Sequence, residues 1–351
     1  MRQRLLDCIC CPSCGSVLQA IAFESDHESR IQSGLLLCSC GEQYPIIKCI
    51  PRLLLSQLQS QFFLLYREYF DKFGHRFESA PFSRAGLADR QKLRTQTSFG
   101  YEWTMFSKYD VDNFRLFIQP MGKEFFAGKF GLDVGCGAGR HVRQVTALGG
   151  EIIGVDISHA VDSAFQMNET CAVAHFVQGD VFNLPFQRNV FDFIYSLGVL
   201  HHLPDPKAGF LKLPPHLKPG APIFIWVYYR TRRKELLEYV RKITSHLPHW
   251  MVNGLAWLAA IVDYGIGVNL YRLLRRFRFV AVRVPLRIEE YAQYNFYSSY
   301  TDWFDRLSAP TSNFYTEPEI RGWFEAAGLE NIDTAVVGDS WVWGRGYRGG
   351  R

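Results

Sequence analysis

The sequence predicts an α/β chain built on a doubly wound sheet, and three features predict it. Residues 130–140 read Phe-Gly-Leu-Asp-Val-Gly-Cys-Gly-Ala-Gly-Arg, where the apolar lead-in through Leu132 and Val134 has the character of a buried strand. Gly135, Gly137 and Gly139 follow, positions at which backbone can turn tightly and approach a ligand. Helical spacing returns in Val142, Val145 and Leu148 and stops at Gly149-Gly150, which sets the loop at a strand-to-helix junction, the place where such sheets bind nucleotides. Beyond it, apolar segments lead in turn to Asp156 and Asp180, so that with Asp133 three successive strands carry an acid at or near their ends.

From the start of the chain, 351 residues suggest about two domains. An apolar fraction of 48% with 21% charged residues describes a globular chain with a substantial core and excludes a disordered one. After the basic Met1–Arg4, only Leu5 and Leu6 precede Asp7, too short an apolar run for a signal peptide, and a cytoplasmic protein is expected. In that compartment nine cysteines read as metal ligands or buried thiols, not as a disulfide framework.

Cys11-Pro-Ser-Cys14-Gly and Cys38-Ser-Cys40-Gly form two short knuckles, and two close pairs of thiolates suit tetrahedral zinc. Cys8, Cys10 and Cys49 are spare thiols that could substitute as ligands, and a metal-free remnant of the site or incidental thiols are the alternatives. With Leu5-Leu6-Asp7, the run Cys-Gly-Glu-Gln-Tyr-Pro-Ile at 40–46 and Ile50-Pro51-Arg52, residues 1–55 resemble the zinc-ribbon family of tRNA-methyltransferase activator subunits. The resemblance implies a small N-terminal domain whose metal, held by Cys11, Cys14, Cys38 and Cys40, is structural, since four thiolates leave no open coordination position.

Residues 56–99 read as a helical linker in which Phe62, Leu65, Tyr69 and Phe73 share one face, and Ser83–Arg94 as a polar, basic connection. The aromatic run Thr97–Trp103, continued by Phe106 and Tyr109, either lies at the mouth of a binding site or seals a domain junction.

The glycine spacing separates cofactors. A dinucleotide loop needs G-x-G-x-x-G, and Arg140 stands where its third glycine would be, which disfavours hydride chemistry. Asp133-x-Gly135-x-Gly137-x-Gly139 instead resembles the first motif of the class I S-adenosylmethionine (SAM) methyltransferases. Glu151–Val155 is a second strand ending in Asp156-Ile157, where an acid can accept hydrogen bonds from both ribose hydroxyls or else cap a helix. Ala174–Gln178 is a third, followed by Gly179-Asp180-Val181, which matches the family's adenine motif. Phe191–Tyr195 is a fourth, followed by Ser196-Leu197 and the run to His201-His202-Leu-Pro-Asp205, similar to the ubiquinone/menaquinone C-methyltransferase and small-molecule branch; no Asn/Asp-Pro-Pro-Tyr motif is present. Ile223–Val227 supplies the fifth strand, Thr316-Glu-Pro-Glu319 opens a late helix, and Glu330–Val337 with Trp341–Tyr347 forms a closing hairpin. The resemblance thus implies a Rossmann-like seven-stranded methyltransferase sheet over residues 100–351 with a C-terminal antiparallel hairpin. It implies SAM bound through Asp133, Gly135, Gly137, Gly139, Asp156, Ile157, Asp180, Val181 and Leu197.

One insertion, about 230–313, interrupts the pattern after strand five. Between Arg230 and Arg287 twelve Lys/Arg stand against three acids, a net +9 in a chain of net +5, leaving −4 elsewhere. Its apolar stretch, Trp250–Leu270, is interrupted by Asn253 and Asp263 and falls short of the roughly 18–20 residues of a spanning helix. The insertion is expected to form a helical, basic lid. Its basic face can be simply solvated, meet an anionic membrane, cover an amphiphilic substrate or grip phosphate backbones.

A sulfonium methyl already has a good leaving group, so the protein has chiefly to align an acceptor and exclude water. A carbon or phenolic oxygen acceptor needs a base, for which His201 or His202 is best placed, with Glu289, Glu290 and Tyr291 lesser candidates; helix-start packing is the alternative for the His pair. Methyl transfer to a small or amphiphilic molecule is expected, the alternatives being an RNA-directed enzyme and a SAM-binding scaffold without turnover.

Overall fold

Strands that are apolar on both faces pair in parallel at the centre of a sheet covered on both sides. In the computed structural model, which describes residues 1–77, 87–106, 114–276, 288, 291–293, 295–338 and 340–350, β5 (Phe130–Val134) and β8 (Phe193–Leu197) are buried along their whole length. Together with β6 (Glu151–Asp156), β7 (Ala174–Gly179) and β9 (Pro222–Tyr228) they form the parallel centre. On one side β9 continues into an antiparallel hairpin of β10 (Leu329–Val337) and β11 (Trp341–Arg348), with β11 inserted between β9 and β10.

Among the described residues the sheet has eleven strands, seven of them (β5 to β11) within residues 100–351, in the order β1-β2-β3-β4-β7-β6-β5-β8-β9-β11-β10. The N-terminal segment supplies the additional four: β1 (Leu18–Ser25), β2 (Ile31–Cys38), β3 (Gln43–Ile47) and β4 (Ile50–Leu53) form an antiparallel meander. Its last strand pairs in parallel with β7, Arg52 opposite Gln178 and Leu53 opposite Gly179. Arg52 locks the join. Its fully buried guanidinium donates to Gln178 Oε1 at 3.1 Å, to the Ile47 carbonyl at 3.2 Å and to Asp162 Oδ1 at 2.5 Å, and lies over the Tyr66 ring. Its Nε has no partner among the described residues, so the buried charge is carried by the Asp162 carboxylate and the two Nη groups.

Leu58, Phe62, Tyr66, Tyr69 and Phe70 cluster with Ile47 and Leu54, so the aromatic linker packs against the inner end of the meander. The expected polar connection at Ser83–Arg94 needs correction: a helix spans Leu87–Met105 and covers its last two thirds, while residues 83–86 and Tyr109 lie outside the described residues. The Thr97–Trp103 aromatics therefore sit on a helix.

The lid begins with a helix at Arg232–Thr244 and ends with one at Phe296–Ser308. Between them the apolar stretch departs from expectation. One continuous helical run, His249–Arg276, contains 28 residues and is long and apolar enough to cross a membrane. Its middle, Ile261–Val268, takes i→i+5 hydrogen bonds. Asn253 and Asp263 do not break the run, because both bond to the neighbouring lid helix: Tyr300 donates to Asn253, and Ser299 Oγ (3.3 Å) and Trp303 Nε1 (3.2 Å) donate to Asp263. The late helix, Glu317–Ala326, starts with the reciprocal Thr316/Glu319 capping box.

Candidate active site

The βα turn after β5 is shaped by glycine. Gly135 has φ +81°, and a Cβ there would stand 2.3 Å from Val199; at Gly137, φ +51°, it would stand 3.2 Å from Trp103 Nε1. A side chain at either position would fill the space above the strand ends. That space is a cavity of about 490 Å³, floored by Gly135, Gly137, Asp156 and Asp180 and roofed by the lid.

Ile157, Val181 and Leu197 also line it. Asp156 holds the turn, accepting from the Gly137 amide at 3.0 Å through one oxygen and from the Ser158 amide (2.8 Å) and hydroxyl (2.7 Å) through the other. Burial raises its pKa, against the opposing pull of these donors. Asp180 is paired with Lys92 Nζ at 2.6 Å and caps the following turn through the Phe182 amide at 3.1 Å.

Three of the residues named from sequence lie elsewhere. Asp133 does not line the cavity; its buried carboxylate accepts from the Tyr195 hydroxyl at 2.9 Å behind the strand, and burial pushes its pKa up to about 7. Gly139, φ +79°, starts the Arg140–Ala147 helix, and a Cβ there would meet Ala164 at 2.8 Å, so its smallness serves helix packing. His201 is fully buried off the cavity, its ring 3.9 Å from that of Tyr228.

His202 does reach the cavity. Its Nδ1 lies 2.7 Å from the Thr311 carbonyl, which can only accept, so Nδ1 carries the proton and Nε2 keeps its lone pair. Asp305 Oδ1 lies 4.0 Å from Nε2, and Asp305 Oδ2 accepts from the Tyr228 hydroxyl at 2.9 Å. Burial lowers the His202 pKa, opposed by Asp305.

The residues missed from sequence come mainly from two helices far apart in the chain. Lys92 and Glu102 enter from Leu87–Met105 beside Phe99 and Trp103 of the expected aromatic run, and Thr301, Asp302, Asp305 and Arg306 from Phe296–Ser308; Arg140, Arg241 and Tyr291, the last a base candidate named from sequence, complete the wall. Arg306 donates to Asp302 at 2.6 Å. Glu102 is fully buried, and neither of its oxygens has a hydrogen-bond partner among the described residues. Burial first, then Asp305 and Asp302, push its pKa well above the carboxylate range. The aromatic density at 97–103 and Tyr291 in the lid were the sequence signals for this wall. Glu289 and Glu290 lie outside the described residues.

A second cluster lies in the meander. The sulfurs of Cys11, Cys14, Cys38 and Cys40 are all within 4.8 Å of one another, with Cys14–Cys38 at 3.4 Å and Cys11–Cys40 at 3.8 Å. Tetrahedral zinc with bonds of about 2.3 Å needs sulfurs about 3.8 Å apart, so the donor set fits. Cys8 instead approaches the Arg4 carbonyl, and neither Cys10 nor Cys49 joins the cluster.

A strand, glycine turn and acid-tipped second and third strands around one cavity suit a nucleoside-containing cofactor. Residues 132–225 match the family described as "Methyltransferase domain". A ubiquinone biosynthesis O-methyltransferase of Idiomarina loihiensis is 31% identical over 136 residues, 36% of this chain and 53% of its own. An uncharacterized protein of Synechococcus sp. is 30% identical over 207 residues, 56% of this chain and 46% of its own. A sterol 24-C-methyltransferase of Schizosaccharomyces pombe is 32% identical over 104 residues, 27% of each chain. The chain spans about half the length of the first two.

Proposed function

We propose that the protein transfers a methyl group from SAM to a small or amphiphilic acceptor, at carbon or oxygen. The observation that carries this reading is the convergence of the Gly135–Gly137 turn, Asp156 and Asp180 on one cavity whose far wall is the lid. The relatives named for ubiquinone O-methylation and sterol C-methylation support the acceptor class.

The residues suit SAM. Asp156 offers carboxylate oxygens for the ribose hydroxyls, the Asp180–Val181 turn borders the place for the adenine, and Glu102 offers an unpartnered carboxyl that a bound cation would favour in its ionised form. When bound, SAM supplies an electrophilic methyl on a sulfonium leaving group. The lid wall excludes water and orients the acceptor. His202 Nε2 takes the proton of a phenol or enol, and the resulting imidazolium is stabilised by Asp305. The four cysteines hold zinc, which ties the two knuckles together and takes no part in the transfer.

Calorimetric titration with SAM tests the reading, followed by transfer of labelled methyl into lipid, small-metabolite and RNA fractions of a cell extract. SAM binding with label in the lipid or small-metabolite fraction is expected, and Asp156→Ala should weaken binding about tenfold or more through loss of a charged acceptor. Label in RNA would replace the acceptor class, and binding without transfer would leave a scaffold. Unchanged affinity in Asp156→Ala would reject the cofactor assignment.

A further inference from the structure

A helix on the surface of a soluble protein turns its apolar side inward and its polar side to water. His249–Arg276 reverses part of this rule. Val252 and Ala256 pack with Phe106, Phe304 and Leu307, but the polar Asn253 and Asp263 also turn inward, to Tyr300, Ser299 and Trp303. The outward side is left almost wholly apolar. Trp250 (73% exposed), Trp257, Leu258, Val262 (62% exposed), Ile266 and Leu270 stand along it, and none of the exposed residues of this run is acidic. The four-residue step from Leu258 to Val262, Ile266 and Leu270 keeps the stripe on one face of a helix about 40 Å long. At its end Arg275 and Arg276 are exposed.

So large an apolar surface on one element marks a place of contact. A second copy of the chain fits it poorly, since both copies would bring the same cationic end and the same insertion of net +9 over 230–287. A spanning helix fits poorly too. The partners of Asn253 and Asp263 sit on the lid helix that lines the cavity with Asp302 and Asp305, and crossing would carry these carboxylates into hydrocarbon. A helix with tryptophans and leucines on one side and arginines at its end suits the interface between acyl chains and anionic headgroups.

We propose that the outward face of His249–Arg276 lies in the plane of an anionic lipid bilayer, its apolar stripe among the upper acyl carbons and Arg275 and Arg276 at the phosphates. This seat places the lid, and the cavity behind it, at the surface where an amphiphilic acceptor dissolves. That consequence rests on the proposed methyl transfer; the seat itself does not.

The test uses the full chain and vesicles, with no cofactor present. In co-sedimentation, vesicles of phosphatidylcholine mixed with phosphatidylglycerol should bind the protein about tenfold tighter than phosphatidylcholine alone, and the preference should shrink at high salt. Tryptophan emission should move to shorter wavelength on binding and be quenched by brominated acyl chains, a readout that needs no variant. Leu258→Glu with Val262→Glu should abolish sedimentation while melting temperature and SAM affinity stay at wild-type values. Arg275→Glu with Arg276→Glu should remove the preference for anionic lipid and leave the weak neutral binding. The proposal is overturned if the wild-type chain ignores both vesicle types, or if the Leu258/Val262 variant still binds them. It is equally overturned if the wild-type chain is a dimer that this variant splits, which would assign the face to a second copy.

Discussion

Lys92 donates to Asp180 at 2.6 Å, and the side chains are 16% and 2% exposed, so a nearly buried ion pair joins the Leu87–Met105 helix to the tip of β7. The helix carrying this lysine also brings Phe99, Glu102 and Trp103 to the cavity, and the pair fixes its position over the strand ends.

Removing the cation alone leaves a buried carboxylate without its counter-charge. Lys92→Met should cost about 2 kcal/mol or more in chemical denaturation. In an Asp180→Asn background the same substitution should cost less, with a coupling of about 0.5–3 kcal/mol. Strict additivity would show that the pair contributes nothing to the join.

Asp133 titrates in the folded protein at about 7 against an ordinary 3.8, because burial outweighs the Tyr195 hydroxyl. Between those values the folded chain holds a proton that the unfolded chain has lost, so this group's contribution to stability falls as pH rises from about 4 to 7. Asp133→Asn removes the titration. The variant should gain on the wild type across that interval by a few kcal/mol, at about 1.36 kcal/mol per pKa unit. A difference between the two that stays flat with pH would show that the carboxyl is not desolvated in the folded state.

His202 lines the cavity with its proton on Nδ1 and its Nε2 unprotonated, and burial lowers its pKa. If it is the base, His202→Gln should lower kcat by about 10²–10⁴ with SAM affinity unchanged. The acid limb of the wild-type kcat/KM profile should then fall below pH 6.5, the direction a depressed imidazole dictates. An acid limb that persists in the variant would move the proton to another group.

The Cys14–Cys38 and Cys11–Cys40 approaches bring all four sulfurs to one point. Zinc is expected by elemental analysis of the wild type, to be lost from Cys14→Ser together with a lower melting temperature, and to be kept by Cys49→Ser, whose thiol lies outside the cluster. Metal-free wild-type protein would end this assignment.

The sequence was legible where structure is local. The apolar runs at 151–155 and 174–178 became β6 and β7 nearly to the residue, because strands buried on both faces leave a continuous hydrophobic signal. The fourth strand was placed two residues early: its start, Phe191, makes only an isolated bridge to Leu217, and the ladder with β5 and β9 runs on through Leu197. The capping box at Thr316–Glu319 was readable for the same reason, since both its bonds close within four residues.

What the chain determined by itself was this order of strands and turns, the glycine loop, the cysteine knuckles and the chemical class of cofactor they suit. The tertiary structure alone decided that β4 extends the central sheet, that Asp133 faces Tyr195 and not the cavity, and that Lys92, Glu102 and Asp305 meet around it. It also decided that Asn253 and Asp263 face inward, which turned an interrupted apolar stretch into a continuous helix with an exposed apolar side. The physical reason is the same in each case. Residue spacing dictates which side chains share a face, but the direction of that face, and which polar groups find partners in distant parts of the chain, is settled only when the elements pack.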